Sequence, residues 1–247
     1  MFAKKERRSV MFKKQVIMSN IDVIIPLDKR HKFTRGVLDD IANNSVLPGH
    51  VYLIDNSEAP ETEPICREMA KRLPVVYCEQ KTNIGVNASW NLGISMSSAD
   101  IVAILNNDLA LCSFFFEKVL ATFERYKNVG LVVPACVRSA HMARIAKDNG
   151  QVRIQPMPYG HQGFAMMVKR DLVDVDKPIP AELKTFCGEN WLYALVRKAE
   201  RENVKCLDLP VHHFHGGISY RTRMTPLGRQ QLHSELSMWR EVEKRLA

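Results

Sequence analysis

NIGVNASWNLGISMSSADIVAILNND, residues Asn83 to Asp108, is the stretch whose reading decides the fold of this chain. Its first part crowds Asn83, Gly85, Asn87, Asn91 and Gly93 into a turn followed by a helical segment, Val86–Met96. The apolar, largely β-branched run Ile101–Leu105 then reads as a strand buried on both faces. That strand ends on Asn106-Asn107-Asp108. Ligands of open α/β sheets bind beyond the carboxyl ends of the strands, so Asp108 stands where a ligand would be met. One carboxylate flanked by amides suits a hard divalent cation that keeps several waters and shares phosphate oxygens with a substrate.

Outward from this stretch the pattern repeats. Upstream, Ile21–Pro26 and Val51–Ile54 read as buried strands, the second ending in Asp55-Asn56-Ser57, and Val75–Cys78 as a third. Between them lie helices over Thr34–Asn44, with Thr34 as cap, and Glu61–Arg72. Downstream, Ser113 is the expected cap of a helix over Phe114–Tyr126, followed by a strand at Val129–Pro134. Strands alternating with helices of this length form parallel βαβ units. After Pro134 the rhythm breaks: residues Ala135–Gly160 have no clear period and suggest an excursion or irregular hairpin. Gly163–Val168 is a further strand, Glu189–Glu202 a helix and Val204–Leu209 the last strand. VHHFHGGISYRTR then reads as loop and Leu227–Leu246 as an amphipathic helix. No repeat or low-complexity linker marks a boundary. The expected organisation is a basic extension over 1–18, one α/β domain over 19–219 and a helical appendage over 220–247.

The chain has 247 residues, 46% hydrophobic and 25% charged, which is the composition of an ordinary globular protein. No run approaches the ~18 apolar residues of a membrane span. MFAKKERRSVMFKKQ is basic with no apolar core behind it, unlike a secretory signal. Six scattered cysteines without a CxxC pair fit a reducing, cytoplasmic setting and speak against a zinc site. The net charge of +8 would attract a nucleic acid, an anionic membrane face or a phosphorylated small molecule, or it is simply a solvated basic surface.

Several residue types in these positions carry chemistry. The first strand, IDVIIPLDKRHKF, has no glycine before Gly36, so a dinucleotide fingerprint is missing, as is a GxxxxGK[ST] loop. A phosphate must then be met by a metal and side chains. Asp55 either caps the turn in DNSEAP or accepts from ribose hydroxyls or a base N–H. Asn83 and Gly85 fit a tight loop entering a helix, and Lys81 beside them could reach a phosphate. In FCGENW, Glu189 opens a helix, whose N-terminus favours the anion; it is either a first-turn acid or a general base. His212, His213 and His215 crowd one short segment, and His213 and His215 would share a side if it is extended. Trp90 reads as core packing, with an aromatic platform for a sugar as the lesser alternative.

The order IIP, LIDNS, NIGVNASWN, ILNND, GFAMMV, FCGENW and HHFHGGIS resembles that of family two glycosyltransferases with the GT-A fold, over roughly Ile21 to Ser219. The resemblance implies an α/β, Rossmann-type, mostly parallel central sheet flanked by helices. It also implies inverting transfer of a hexose or pentose from a nucleotide-diphospho-sugar, a UDP-sugar foremost, to an acceptor hydroxyl on a polysaccharide, lipid or modified nucleic acid. By this resemblance Asp108 is the metal end of a DXD-type motif, holding Mn²⁺ or Mg²⁺ with His213 or His215. Glu189 is the catalytic base, and donor-binding candidates are Pro26, Asp55, Lys81, Asn83, Gly85, Asn91 and Asn107. The chain departs from the family pattern in having Asn106-Asn107-Asp108, with one carboxylate, and in having Asn190 after the base. Two other readings are a glycoside hydrolase, which also uses two carboxylates, and a basic nucleic-acid-binding module using KKERR and RTR.

Overall fold

The computed structural model describes residues 16–17, 20–28, 31–57, 61–157, 162–173, 178–214 and 225–246. In chain order the elements are β1 (Val16–Ile17), β2 (Ile21–Leu27), α1 (His31–Ala42), β3 (Val46–Leu47), β4 (Val51–Asp55), α2 (Thr62–Met69) and β5 (Val75–Glu79). There follow α3 (Val86–Met96), β6 (Ile101–Leu105), β7 (Leu109–Leu111), α4 (Phe115–Arg125), β8 (Val129–Cys136), α5 (Ala140–Arg144) and β9 (Ile154–Pro156). The described chain closes with β10 (Ala165–Lys169), α6 (Gly188–Lys198), β11 (Glu202–His213) and α7 (Pro226–Lys244).

The main sheet runs β5-β4-β2-β6-β10-β8-β11-β7, with β9 also on β11. Its first four strands are parallel, as the βαβ rhythm requires. β10 then inserts antiparallel between β6 and β8, and β11 is parallel to β8 but antiparallel to β7 and β9. Successive side chains of a strand point to opposite faces, and the core divides accordingly. Val23, Ile25, Ala103 and Leu105 pack with Val37, Ile41, Phe115 and Val119 of α1 and α4. Ile24, Val102 and Ile104 face the other way, onto Trp90 and Ile94 of α3, Leu192 and Val196 of α6, and Trp239 and Val242 of α7. Trp90 is therefore core, 4% exposed. No helix among the described residues is long and apolar enough to cross a membrane.

Three local expectations are corrected. Thr34 does not cap α1 but lies inside it, buried, because the helix starts at His31. Ser113 does not cap α4: Phe114 precedes the helix with no side-chain cap, and the Ser113 carbonyl instead accepts from the Ser45 N–H at 3.0 Å. The last strand does not stop at Leu209 but runs to His213, since the short β7 gives its end a partner. The aperiodic stretch after β8 holds α5 and β9, joined by a loop that side chains tie down. Buried Lys118 donates to Gln151 O at 2.7 Å, and Arg153 Nη2 lies 2.6 Å from Asp208.

Candidate active site

The first half of the site follows from how β6 ends. Beyond Leu105 the Asn106 N–H still donates to Phe164 O at 2.8 Å, and the chain then turns into β7. β7 pairs with the end of β11, placing His213 opposite Leu109, and the Phe214 N–H donates to Asp108 O at 3.0 Å. Backbone pairing thus brings two side chains far apart in sequence together: His213 Nε2 lies 3.1 Å from Asp108 Oδ1. The His213 ring stacks on Phe164, with centroids 4.6 Å apart and planes inclined by 22°, which fixes its orientation. His212, on the opposite face of the strand, places Nδ1 2.9 Å from Val137 O. Asn107 donates to Thr34 Oγ1 at 3.1 Å, tying the turn to α1.

These residues fit a divalent cation in one respect and leave its remaining ligands open. Neighbouring donors of an octahedral ion with bonds of ~2.1 Å lie ~3 Å apart, close to the observed separation of the Asp108 oxygen and His213 nitrogen. A carboxylate with an imidazole is a donor set that Mn²⁺ accepts. Among the described residues no three His, Cys, Asp or Glu side chains gather into a metal-holding group. His215 lies outside the described residues.

The second half is built differently. Residues 178–187 are irregular, and their backbone is held by side chains from α3. Asn91 grips Ile179 from both sides, donating to its carbonyl at 2.8 Å and accepting from its N–H at 2.9 Å. Asn87, one turn earlier on the same face, donates to Leu183 O at 2.8 Å and Phe186 O at 3.1 Å. Cys187 then takes the left-handed region, φ 60°, and α6 begins at Gly188. The glycine is required, since a methyl group there would lie 2.1 Å from Asn87 Oδ1. Glu189 follows in the first turn, where the helix N-terminus favours a carboxylate. Burial, with the Glu189 and Glu235 carboxylates adding to it, pushes the Cys187 thiol up to about 12, so it stays protonated. Burial and then Glu189 push the Tyr193 phenol up as well.

One segment joins the halves. The Glu189 side chain lies against Gly163, where an added methyl would sit 3.3 Å from its Cβ and Cδ, while the next residue, Phe164, carries the His213 ring. Glu189 and the His213 ring therefore lie against the two adjacent residues leading into β10, with Asp108 beside His213.

The donor-side candidates form a neighbouring group. Pro26 lies one residue before the end of β2 and Asp55 ends the adjacent β4, with Leu27 in register with Asp55. The Asp55 carboxylate accepts from Ser57 N at 2.8 Å, Ser57 Oγ at 2.5 Å and Tyr77 Oη at 2.7 Å, so the turn-cap role is filled. Next to it, Asn56 accepts from the Ile84 N–H at 3.2 Å and donates to Ser89 Oγ at 2.8 Å, bringing the Asn83–Gly85 turn alongside. Asn83 accepts from the Gly85 N–H at 2.9 Å, and Gly85 has φ 86° with Lys184 O close by. Lys81 is exposed in the turn after β5. Asn91 serves the 178–187 loop. The sequence reading missed Asn56, Asn87 and Phe164. For Asn87 the available signal was its spacing of four from Asn91, which puts two amides on one helix face.

With this geometry in hand, comparison with known proteins is decisive on family. The glycosyl transferase family 2 profile matches residues 22–172. The chain belongs to that family. Among curated proteins, the family 2 chain is 28% identical over 113 residues to the minor teichoic acid biosynthesis protein GgaB of Bacillus subtilis strain 168. That match covers 44% of this chain and only 12% of the relative. Its fold is shared with the mannosyltransferase PcManGT of Pyrobaculum calidifontis in complex with GDP-Man and Mn²⁺, at TM-score 0.60 and 17% identity over 87% of this chain and 68% of that one. TarS 1–349 of S. aureus matches at TM-score 0.62 and 14% identity over 89% and 71% of the two chains. GalNAc-T7, solved with UDP, GalNAc and Mn²⁺, matches at 0.61 and 11% identity over 91% and 50%. These likenesses give the GT-A fold. Family membership also displaces the hydrolase alternative. The basic segments behind the nucleic-acid alternative, KKERR and RTR, lie outside the described residues.

Proposed function

We propose that this family 2 chain transfers a sugar, with inversion, from a nucleotide-diphospho-sugar to an acceptor hydroxyl. The observation that supports this reading is the Gly163-Phe164 segment: Glu189 lies against Gly163, and the ring of His213, beside Asp108, stacks on Phe164. Asp108 and His213 would hold Mn²⁺ or Mg²⁺, and that ion, when bound, supplies the positive charge that offsets the charge developing on the departing diphosphate. The turns carrying Asp55-Asn56 and Asn83–Gly85 flank the donor, a UDP-sugar by first preference. Glu189 removes the proton of the acceptor hydroxyl. The freed oxygen forms a bond to the anomeric carbon as the bond to the diphosphate breaks, its electron pair leaving with the nucleotide. Such an in-line displacement, with the oxygen attacking opposite the departing diphosphate, inverts the configuration. The teichoic acid role of GgaB and the +8 charge of this chain direct the acceptor screen first to anionic polymers bearing hydroxyls.

A thermal-shift screen of UDP- and GDP-sugars, with and without Mn²⁺, identifies the donor. Glu189→Gln should then lower turnover by about a thousandfold while nucleotide affinity holds. Asp108→Ala should abolish the Mn²⁺-dependent part of nucleotide binding. Wild-type transfer rates in both variants would remove the assignment.

A further inference from the structure

The helix at the end of the described chain does more than cover the sheet. α7 docks by Trp239 and Val242, 8% and 1% exposed, on the core layer that also holds Leu192 and Val196 of α6. From the face so docked, Glu235 enters the irregular segment ahead of α6 and is itself only 3% exposed. Its Oε2 accepts from the Phe186 N–H at 2.7 Å and the Thr185 N–H at 3.0 Å. Its Oε1 accepts from Gln231 Nε2 at 2.9 Å, and the same Gln231 amide donates to Thr185 Oγ1 at 3.0 Å. Farther along the helix, Arg245 pairs with Glu182 at 3.0 Å, a second tie to the same segment.

The Phe186 residue is thus held at both its backbone polar groups by side chains remote in sequence: Glu235 takes its N–H and Asn87 its carbonyl. Cys187, the next residue, holds the left-handed turn from which Glu189 projects. A buried carboxylate is costly unless its oxygens are hydrogen-bonded. An apolar side chain would pack α7 at lower cost, so the placement of this carboxylate is explained by what it holds. We propose that Glu235 is a positioning residue for catalysis, fixing the Thr185–Cys187 turn and through it the carboxylate of Glu189. This rests on the reading of Glu189 as the base. Misplacing a reacting group by about an ångström is enough to cost up to a hundredfold in rate, and residues 184–187 have no ladder of their own to prevent it.

The test uses the full chain with Glu235→Gln, a near-isosteric change that removes the charge and one acceptor. Amide exchange at Thr185 and Phe186 should speed up by about tenfold or more as their bonds weaken. With the sugar nucleotide found in the donor screen, kcat should fall about tenfold while its KM stays within about twofold. Binding of UDP and GDP with Mn²⁺ should not change. In a Glu189→Gln background the same substitution should have no further effect on kcat, because the two act as a unit. Faster amide exchange with unchanged kcat, or an equal loss in both backgrounds, overturns the proposal. Full turnover in Glu189→Gln alone removes the base assignment and the catalytic role of Glu235 with it, while faster exchange in Glu235→Gln would still show the clamp itself to be real. Should Glu235→Gln fail to fold, Gln231→Ala weakens the same clamp from outside. It should give the same kcat-only pattern at about threefold, and a wild-type kcat with faster exchange overturns the proposal.

Discussion

Asp108, through His213, and Glu189 are tied to the adjacent residues Phe164 and Gly163, yet different forces put them there. Asp108 sits at the end of a fully buried strand, and its partner His213 reaches it through the pairing of β7 with β11. Backbone hydrogen bonding does most of this work, with the Phe164 ring orienting His213 and Asn107 tying the turn to Thr34. Glu189 follows an irregular segment whose peptide groups are satisfied by Asn87, Asn91 and Glu235. Buried backbone polar groups must be paired somewhere, and here side chains take the role a sheet would otherwise play. The Asp108–His213 pair should therefore tolerate changes in surrounding packing, whereas the Glu189 turn should respond to single side chains far from it.

The sharpest way to break this contrast is Gly188→Ala. The added methyl would collide with Asn87 Oδ1 at 2.1 Å, and overpacking of this kind costs about 3 kcal/mol. Stability by denaturant titration should drop by that amount, and turnover per folded molecule should fall with it. Gly93→Ala is the control, since its methyl would meet Ile24 side-chain atoms as close as 2.4 Å. It should cost about 2 kcal/mol of stability while kcat per folded molecule is retained. Equal catalytic damage from both would dissolve the distinction between fold and clamp.

Asn87→Ala comes next. Two carbonyls, of Leu183 and Phe186, lose their donor, which should cost about 2 kcal/mol and lower kcat with little change in the KM for the sugar nucleotide. Asn91→Ala, gripping Ile179 farther from Glu189, should cost about 1 kcal/mol with a smaller fall in kcat. Melting curves and steady-state kinetics together rank the pair, and a reversed order would count against the clamp.

The smallest effect is expected at Asp208, five residues before His213 on β11, and it depends on pH. The Arg153 guanidinium, with Asn149 and a backbone N–H assisting, holds the Asp208 carboxyl far below the ordinary carboxylate range. A depressed carboxylate adds stability above its unfolded pKa of about 4, and that gain is lost as the pH falls through and below this value. Asp208→Asn should accordingly melt a few degrees lower than wild type at pH 7, with the gap closing below about pH 4. Its kcat at neutral pH should match wild type.

The contrast also explains what could be read without coordinates. Ile21–Pro26, Val51–Ile54 and Ile101–Leu105 announce themselves because burial on both faces demands continuous apolar residues. The same logic places Asp55 and Asp108 at strand ends. The extension of β11 to His213 escaped notice because its partner, Leu109–Leu111, is only three residues long and follows a turn-like NND. Thr34 and Ser113 were misread as caps because a polar residue before an apolar run marks a helix start only when the preceding backbone is extended. At Thr34 the helix had begun one turn earlier.

What local chemistry dictated, then, was a series of buried strands alternating with amphipathic helices, each strand's end carrying polar residues toward one edge. Periodicity and composition act over a few residues, and that range covers these features. The meeting of Asp108 with His213, the insertion of β10 between β6 and β8, and the grip of Asn87 and Glu235 on the turn before Glu189 are contacts between segments remote along the chain. They arise only when the sheet closes and buried peptide groups find partners, and only the folded structure could decide them.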